Sequence, residues 1–441
     1  MAAATGDVRP GIPPPAVRFA SDWTRGKMNV SCGDCLAMQK VVILGAGHAG
    51  FQCASTLRQQ GFTGDLCLIS DEGRLPYQRP PLSKSYLLGK TCAADLAFRG
   101  ESFFKENRLT LIPGVAEKID REAQRVTLNS GESLPYDHLV IATGSRPRTL
   151  PVPGAELAGV LSLQTLDDAD RLLAALAGCN KAVVIGAGFI GLEFAASARQ
   201  LGHAVSVLDI GERPMARVLS PECAAAFTRA HRSLGTELLF RTGVERLEGR
   251  GGRVASVITT RGERIPADLV VVGIGAVPRV ELALQAGLPV DNGIVVDATL
   301  RTADLQVSAI GDVASFPMRA DGHRVRLESV QNAVDQARVV AARLAGRTPI
   351  EYQAVPWFWS DQGDLKLQIA GLRDDRDERV VIGDTTARNF SILCISDGVL
   401  RAVESVNRPA DHMLARRLLA KQIGLSPTLA REPGFSLKNL G

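Results

Sequence analysis

Two short glycine series carry the clearest chemistry in the chain, Gly45-Ala46-Gly47-His48-Ala49-Gly50 and Gly186-Ala187-Gly188-Phe189-Ile190-Gly191. In a turn from strand to helix, the first glycine permits a tight bend, the second lets backbone amides approach a pyrophosphate, and the third lets the helix pack on the strand. The helix N-terminus adds partial positive charge. Packing alone also produces such turns, so the flanks decide. The apolar run Lys40–Leu44 precedes the first series, and Leu66–Ile69 follows it and leads to Asp71 and Glu72. Ala182–Ile185 and Val205–Leu208, leading to Asp209, repeat the arrangement. A carboxylate at that place accepts hydrogen bonds from ribose hydroxyls. The chain is therefore expected to hold two dinucleotides.

The elements that must position these turns follow in order. An apolar strand, Leu139–Ala142, runs into Thr143-Gly144, and a second strand-helix-strand unit begins at Lys181 and closes near Leu269–Gly275. The chain returns through Val307–Asp312 to a helical pattern from about Ser329, with Val330, Ala333, Val334, Ala337 and Val340 on its apolar face. Such an order implies one nucleotide unit inserted into another. After Pro349 the period changes to short strand candidates at 365–369, 380–382, 390–395 and 399–403, then a helix through Met413 and Leu419. The fold class expected is α/β, with two Rossmann-like dinucleotide-binding domains, the second inserted in the first, and a C-terminal α+β domain.

A chain of 441 residues with 45% hydrophobic and 22% charged content is an ordinary globular protein of more than one domain. A net charge of +4 gives no electrostatic support for nucleic-acid binding. The longest apolar stretch, about 269–277, is glycine-interrupted and too short to cross a bilayer, and no secretory apolar core opens the chain. A cytoplasmic protein without membrane contact is expected. Residues 1–37 read as a flexible extension, with Met28 and Met38 leaving a misassigned start open. The close pair Cys32 and Cys35 lies in that leader without the helical context of a redox motif or the further ligands of a zinc site. His48 reads as a filler of the phosphate turn, and no histidine has a metal-like spacing partner, so no metal is expected.

Arg79-Pro80-Pro81-Leu82-Ser83-Lys84, Ala142-Thr143-Gly144-Ser145-Arg146-Pro147, Gly311-Asp312, Glu328–Ala333 and Pro356-Trp357-Phe358-Trp359-Ser360-Asp361-Gln362 together resemble the FAD-dependent, NADH-using ferredoxin reductases of the glutathione-reductase-like superfamily. The resemblance runs from about Met38 to the C-terminus. It implies a non-covalent FAD on the turn of Gly45, Gly47, Ala49 and Gly50. Asp71 or Glu72 would meet the adenosine ribose, Ala116 the adenine edge and Asp312 the ribityl chain. Arg79, Thr143, Gly144 and Arg146 would line the site, and amides at Val330 would face the flavin's pyrimidine side. Lys84 is implied beside the flavin's reactive nitrogen, with Glu193 as its partner near the nicotinamide. NADH is implied on Gly186, Gly188, Ile190 and Gly191, with Gly275 beside it and Asp209 at its ribose. A 2′-phosphate about 4 Å from Asp209 would be repelled by roughly 4 kcal/mol at an effective dielectric of about 20, although nearby Arg213 could compensate. The corresponding domains are 38–148 with 272–349 for FAD, 149–271 for NADH, and 350–441 at the C-terminus.

Thiol-using relatives in that superfamily place cysteines after the first acidic strand, in the second nucleotide unit, or in the loop that here runs from Gln78 to Ser83; this chain has none of these. Electrons would therefore leave the flavin directly. The reading is hydride transfer from NADH to FAD, then single-electron transfer to a two-iron ferredoxin that feeds an oxygenase, with Trp357 and Trp359 lining the flavin or the docking surface. Arg338, Arg343, Arg347, Arg416, Arg417 and Lys421 would form a basic rim for an acidic partner. The alternatives are a rubredoxin reductase, an apoptosis-inducing-factor-like NADH oxidoreductase, or a redox sensor.

Overall fold

The structure, a computed structural model, describes residues 39–318 and 323–440. The Cys32 and Cys35 pair and the 1–37 extension lie outside those residues. Among the described residues, a parallel five-stranded sheet has the order Val307–Ala309, His138–Ile141, Lys40–Leu44, Asp65–Ser70, Leu109–Pro113. Its strands are near-continuous Val, Ile and Leu because both faces are covered, as parallel sheets require. Val41, Val42, Ile43, Leu139, Val140 and Ile141 are fully buried. The His48–Gln59 and Val330–Leu344 helices pack against each other over this sheet.

A second parallel sheet repeats the plan in the order Glu237–Leu239, Ala204–Leu208, Lys181–Ile185, Leu269–Val272, Val160–Leu161. Because Val307–Ala309 rejoins the first sheet after the second is complete, one unit is inserted in the other. The two crossings run side by side, Ser145–Pro147 pairing antiparallel with Ala276–Pro278. The C-terminal sheet is antiparallel in the order Trp357–Gln362, Leu365–Gly371, Val399–Val406, Asn389–Ser396, Glu378–Asp384, and the Pro409–Ala420 helix packs on it.

The strand and helix expectations for the nucleotide units hold to within a residue or two. Two antiparallel three-stranded ribbons, 116–135 and 244–266, were not expected from the sequence. Nor was the Trp357–Gln362 strand, whose three adjacent aromatic residues mask its alternation. The basic rim needs one correction. Arg343 shares the inward helical face of Gln336, Ala337 and Val340, is only 8% exposed, and donates to Ser308 Oγ at 2.6 Å. It is a core residue and not a surface charge, because the helical period carries position 343 to the sheet side.

Candidate functional site

The glycine turns show which of their positions are demanded by the protein itself. A Cβ on Gly45 would lie 2.3 Å from Ala142 O, and one on Gly50 would lie 1.8 Å from Gly45 O. A Cβ on Gly186 would lie 2.4 Å from Gly273 O, and one on Gly191 would lie 2.3 Å from Gly186 O. The middle glycines differ. Gly47 has nothing within 4 Å of a built Cβ, and Gly188 has only Gly273 O at 3.7 Å. Packing therefore explains the outer glycines and leaves the middle ones facing open space at a helix N-terminus, where an anion is favoured. Both turns fit a pyrophosphate on that ground.

Around the first turn, Asp312 follows Gly311, whose amide donates to Gln336 Oε1 at 2.7 Å. Ser145 Oγ donates to Asp312 Oδ2 at 3.2 Å. Burial, reinforced by the nearby Glu328 charge, pushes the Asp312 carboxyl up to about 6. A carboxyl so placed gains from any hydroxyl that donates to it. Ser329 caps the Val330–Leu344 helix by accepting from Asn332 N at 3.1 Å, leaving the first amides, at Val330 and Gln331, at its mouth. Thr143 Oγ1 donates to Arg279 O at 2.9 Å, and Arg279 N to Gly144 O at 2.9 Å.

The acidic pair at the end of the Asp65–Ser70 strand divides its work. Glu72 accepts from both Tyr77 OH and Arg79, and Arg79 also donates to Gln164 O at 2.8 Å. Asp71 is exposed and pairs with Arg279 at 3.2 Å. Ala116 opens a strand that is bulged before Lys118. Arg146 stands at the surface in an ion pair with Glu281. His48 lies edge-on to Phe98 with ring centroids 5.0 Å apart, and burial together with Arg79 lowers its pKa to about 4. It is neutral near pH 7 and carries no charge to a phosphate.

Around the second turn, Asp209 accepts from Ala187 N and Gly211 N, each at 2.6 Å, so its carboxylate braces its own turn. Ile190, at the helix mouth, is 48% exposed. Gly275 takes φ +105°, and its carbonyl accepts from Arg148 N at 2.9 Å.

Lys84 and Glu193 meet near the start of the Phe189–Gln200 helix, which follows the second turn. Lys84 Nζ lies 2.6 Å from Glu193 Oε2, with both side chains largely enclosed. The Arg79–Lys84 segment is a short 3-10 turn over Pro80–Ser83, started by its prolines, and Ser83 O accepts from Ser197 Oγ at 2.8 Å. Glu193 also accepts from Ser83 Oγ, and from Ser360 Oγ at 2.7 Å. A buried ion pair costs its desolvation unless further hydrogen bonds complete it, and this one has them. Trp359 and Trp357 occupy the other face of the strand that bears Ser360, their rings 5.6 Å apart. Arg416 lies 4.6 Å over the Trp357 ring, and His412 packs beneath it at 5.7 Å. Gln331 Oε1 accepts from Trp357 N at 3.2 Å, tying that strand to the helix mouth.

Ser83, Ser360, Gln362 and His231 were missed as site residues. Alternation along the Trp357–Gln362 strand would have found two of them, since it sets positions 358, 360 and 362 on the face opposite the tryptophans. Among the described residues no cluster of metal-ligating side chains occurs, and no helix is long and apolar enough to cross a membrane.

Residues 39–337 match the pyridine nucleotide-disulphide oxidoreductase family model, and residues 357–441 match the reductase C-terminal model. The chain is 51% identical over 399 residues to rhodocoxin reductase of Rhodococcus erythropolis, covering 90% of this chain and 93% of that protein. The ferredoxin reductase for the CYP199A2 system from Rhodopseudomonas palustris is similar in structure, with a TM-score of 0.88 and 47% identity over 90% of this chain and 98% of its own. The reductase in the covalent putidaredoxin reductase–putidaredoxin complex has the same TM-score, 0.88, at 38% identity, covering 91% of this chain and 98% of its own.

Proposed function

The chain belongs to the FAD-dependent ferredoxin reductases of the pyridine nucleotide-disulphide oxidoreductase family, and from that premise we propose that it passes electrons from NADH through FAD to a two-iron ferredoxin serving an oxygenase. FAD, once bound, supplies the chemistry that accepts a hydride and releases electrons singly, which no side chain here has. The protein's part is to bind, orient and enclose. The observation that carries the reading is the Lys84–Glu193 pair at 2.6 Å, in a chain that has two open glycine turns and no cysteine in its Gln78–Ser83 loop.

In this reading the open amides around Gly47 hold the FAD pyrophosphate, and Asp312 accepts a ribityl hydroxyl. Amides at Val330 and Gln331 carry partial positive charge toward the ring's pyrimidine side. Asp71, the freer of the two acids, serves the adenosine ribose, and Glu72 instead holds Tyr77 and Arg79 in place. Gly188 and its neighbours take the NADH pyrophosphate. Asp209 must exchange a turn amide for ribose hydroxyls when NADH binds. Lys84, fixed by Glu193, orients the nicotinamide against the ring and excludes water from between them.

The FAD unit is assigned to 38–148 with 272–349 and the NADH unit to 149–271. The 350–441 unit supplies the docking face. Trp357 and Trp359, with Arg338, Arg347, Arg416, Arg417 and Lys421, present an aromatic and basic surface suited to an acidic iron-sulfur protein. Free cysteines and NADH use suit a cytoplasmic location.

The test is NADH-driven cytochrome c reduction by the purified yellow protein, with and without a two-iron ferredoxin from the same organism. A large ferredoxin-dependent increase is expected; equal slow rates would overturn the proposal.

A further inference from the structure

A directed chain of buried hydrogen bonds ends on Glu193. It starts at His231, in the Pro221–Ser233 helix; burial holds its imidazole below the ordinary pKa, although its bond to Gln362 acts the other way. His231 Nε2 lies 2.9 Å from Gln362 Oε1, and an amide oxygen only accepts, so Nε2 carries the proton. Gln362 Nε2 then donates to Ser360 Oγ at 3.1 Å and to Met215 Sδ at 3.6 Å. The Ser360 hydroxyl donates onward to Glu193 Oε1 at 2.7 Å. From His231 through Gln362 and Ser360 the donors run in one sense toward the carboxylate, and such chains polarise one another in a low-dielectric interior.

The other oxygen, Oε2, takes Lys84 and Ser83. Ser360 is thus the only donor found on Oε1 among the described residues. Without it the carboxylate can swing about its side-chain axis and carry Lys84 with it. The same strand bears Trp359 on its opposite face, so the C-terminal sheet holds the pair from one side while it presents aromatic surface on the other.

We infer that Ser360 and Gln362 are positioning residues for hydride transfer, acting through Glu193 on Lys84 and making that step depend on how the C-terminal sheet is seated. The inference rests on the reading of Lys84 and Glu193 given above. Neither residue needs to touch FAD or NADH.

Ser360→Ala should slow single-turnover reduction of the flavin by NADH about tenfold, the lower end for a lost hydrogen bond to a charged group. In steady state the loss should fall on kcat while KM for NADH stays, and Ser360→Thr should restore the rate. In a Glu193→Gln background the same substitution should add nothing. A readout independent of turnover is the infrared carboxylate band of Glu193 in the oxidised yellow protein, identified by its disappearance in Glu193→Gln. It should move in Ser360→Ala and return in Ser360→Thr. If Ser360→Ala does not fold, Gln362→Met carries the test one bond further out, with about a threefold loss expected. An unmoved band with an unchanged rate, or a loss that persists in Glu193→Gln, overturns the inference. A wild-type flavin that NADH fails to reduce would instead overturn the function proposed above.

Discussion

Gly45 and Gly186 hold φ at +104° and +105°, and each donates its amide to the neighbouring strand, Gly45 to Ile69 O at 2.9 Å and Gly186 to Leu208 O at 2.7 Å. With the skeleton shared, the surroundings separate the two turns. At the mouth of the first helix Ala49 is 7% exposed, whereas Ile190 at the matching place is 48% exposed. The acids of the first turn are held by Tyr77, Arg79 and Arg279, outside the turn itself. Asp209 lies one residue earlier in register, since Ile185 pairs with Leu208 while Leu44 pairs with Ile69, and it accepts from the Ala187 amide of its own turn. One backbone device thus stands in two surroundings, and the function proposed above gives the more enclosed one to FAD and the more open one to NADH.

The largest effects should come from the middle glycines. Gly47→Ala meets no protein atom within 4 Å, so the chain should fold yet purify colourless, with FAD affinity down at least about a hundredfold from lost charge-assisted bonds. Gly188→Ala should stay yellow and raise KM for NADH instead. If both lose FAD alike, the distinction between seats is gone.

Asp209 gives the next effect. Asp209→Ala with Ile210→Arg should narrow the NADH to NADPH ratio of kcat/KM by about ten- to a hundredfold, less than the bare repulsion because the brace is lost for both cofactors. An unchanged ratio removes Asp209 from cofactor choice. Trp359→Phe should leave NADH reduction of the flavin intact and slow ferredoxin reduction only a few-fold if the ring packs the docking face.

The smallest effect concerns Asp312 in flavin-free protein. Its carboxyl sits at about 6 against an ordinary 3.8, so the folded chain keeps a proton that the unfolded chain sheds. The stability this gives is present below about pH 4 and disappears as pH rises through about 6. Flavin-free Asp312→Asn should lack that loss, so its melting temperature relative to wild type climbs by a few degrees across the window. A gap that does not vary with pH would show Asp312 ionising normally.

Much of this was legible in the sequence because the glycine turns, buried Val and Ile runs and Ser329 cap are local signals, each confined to one strand-turn-helix unit. The Lys84–Glu193 contact was legible only through family motifs, since 109 residues separate the partners. Arg343 misled because a surface reading ignored its helical phase. The ribbons at 116–135 and 244–266 are half-exposed and short, so burial imprints little alternation on them. His231 comes from a helix far along the chain from the strand that bears Ser360 and Gln362, and only the assembled core brings the three into line.

The antiparallel pairing of Ser145–Pro147 with Ala276–Pro278 brings the two ends of the inserted unit side by side. A segment whose ends already touch adds little loop-closure entropy to its host however long it is. The first sheet can therefore await its last strand, Val307–Ala309, while the second completes itself, and excising the insert for a short turn should leave a host able to close. During synthesis, the open first sheet would be covered only after the inserted unit has emerged, which makes that unit's folding speed a determinant of yield.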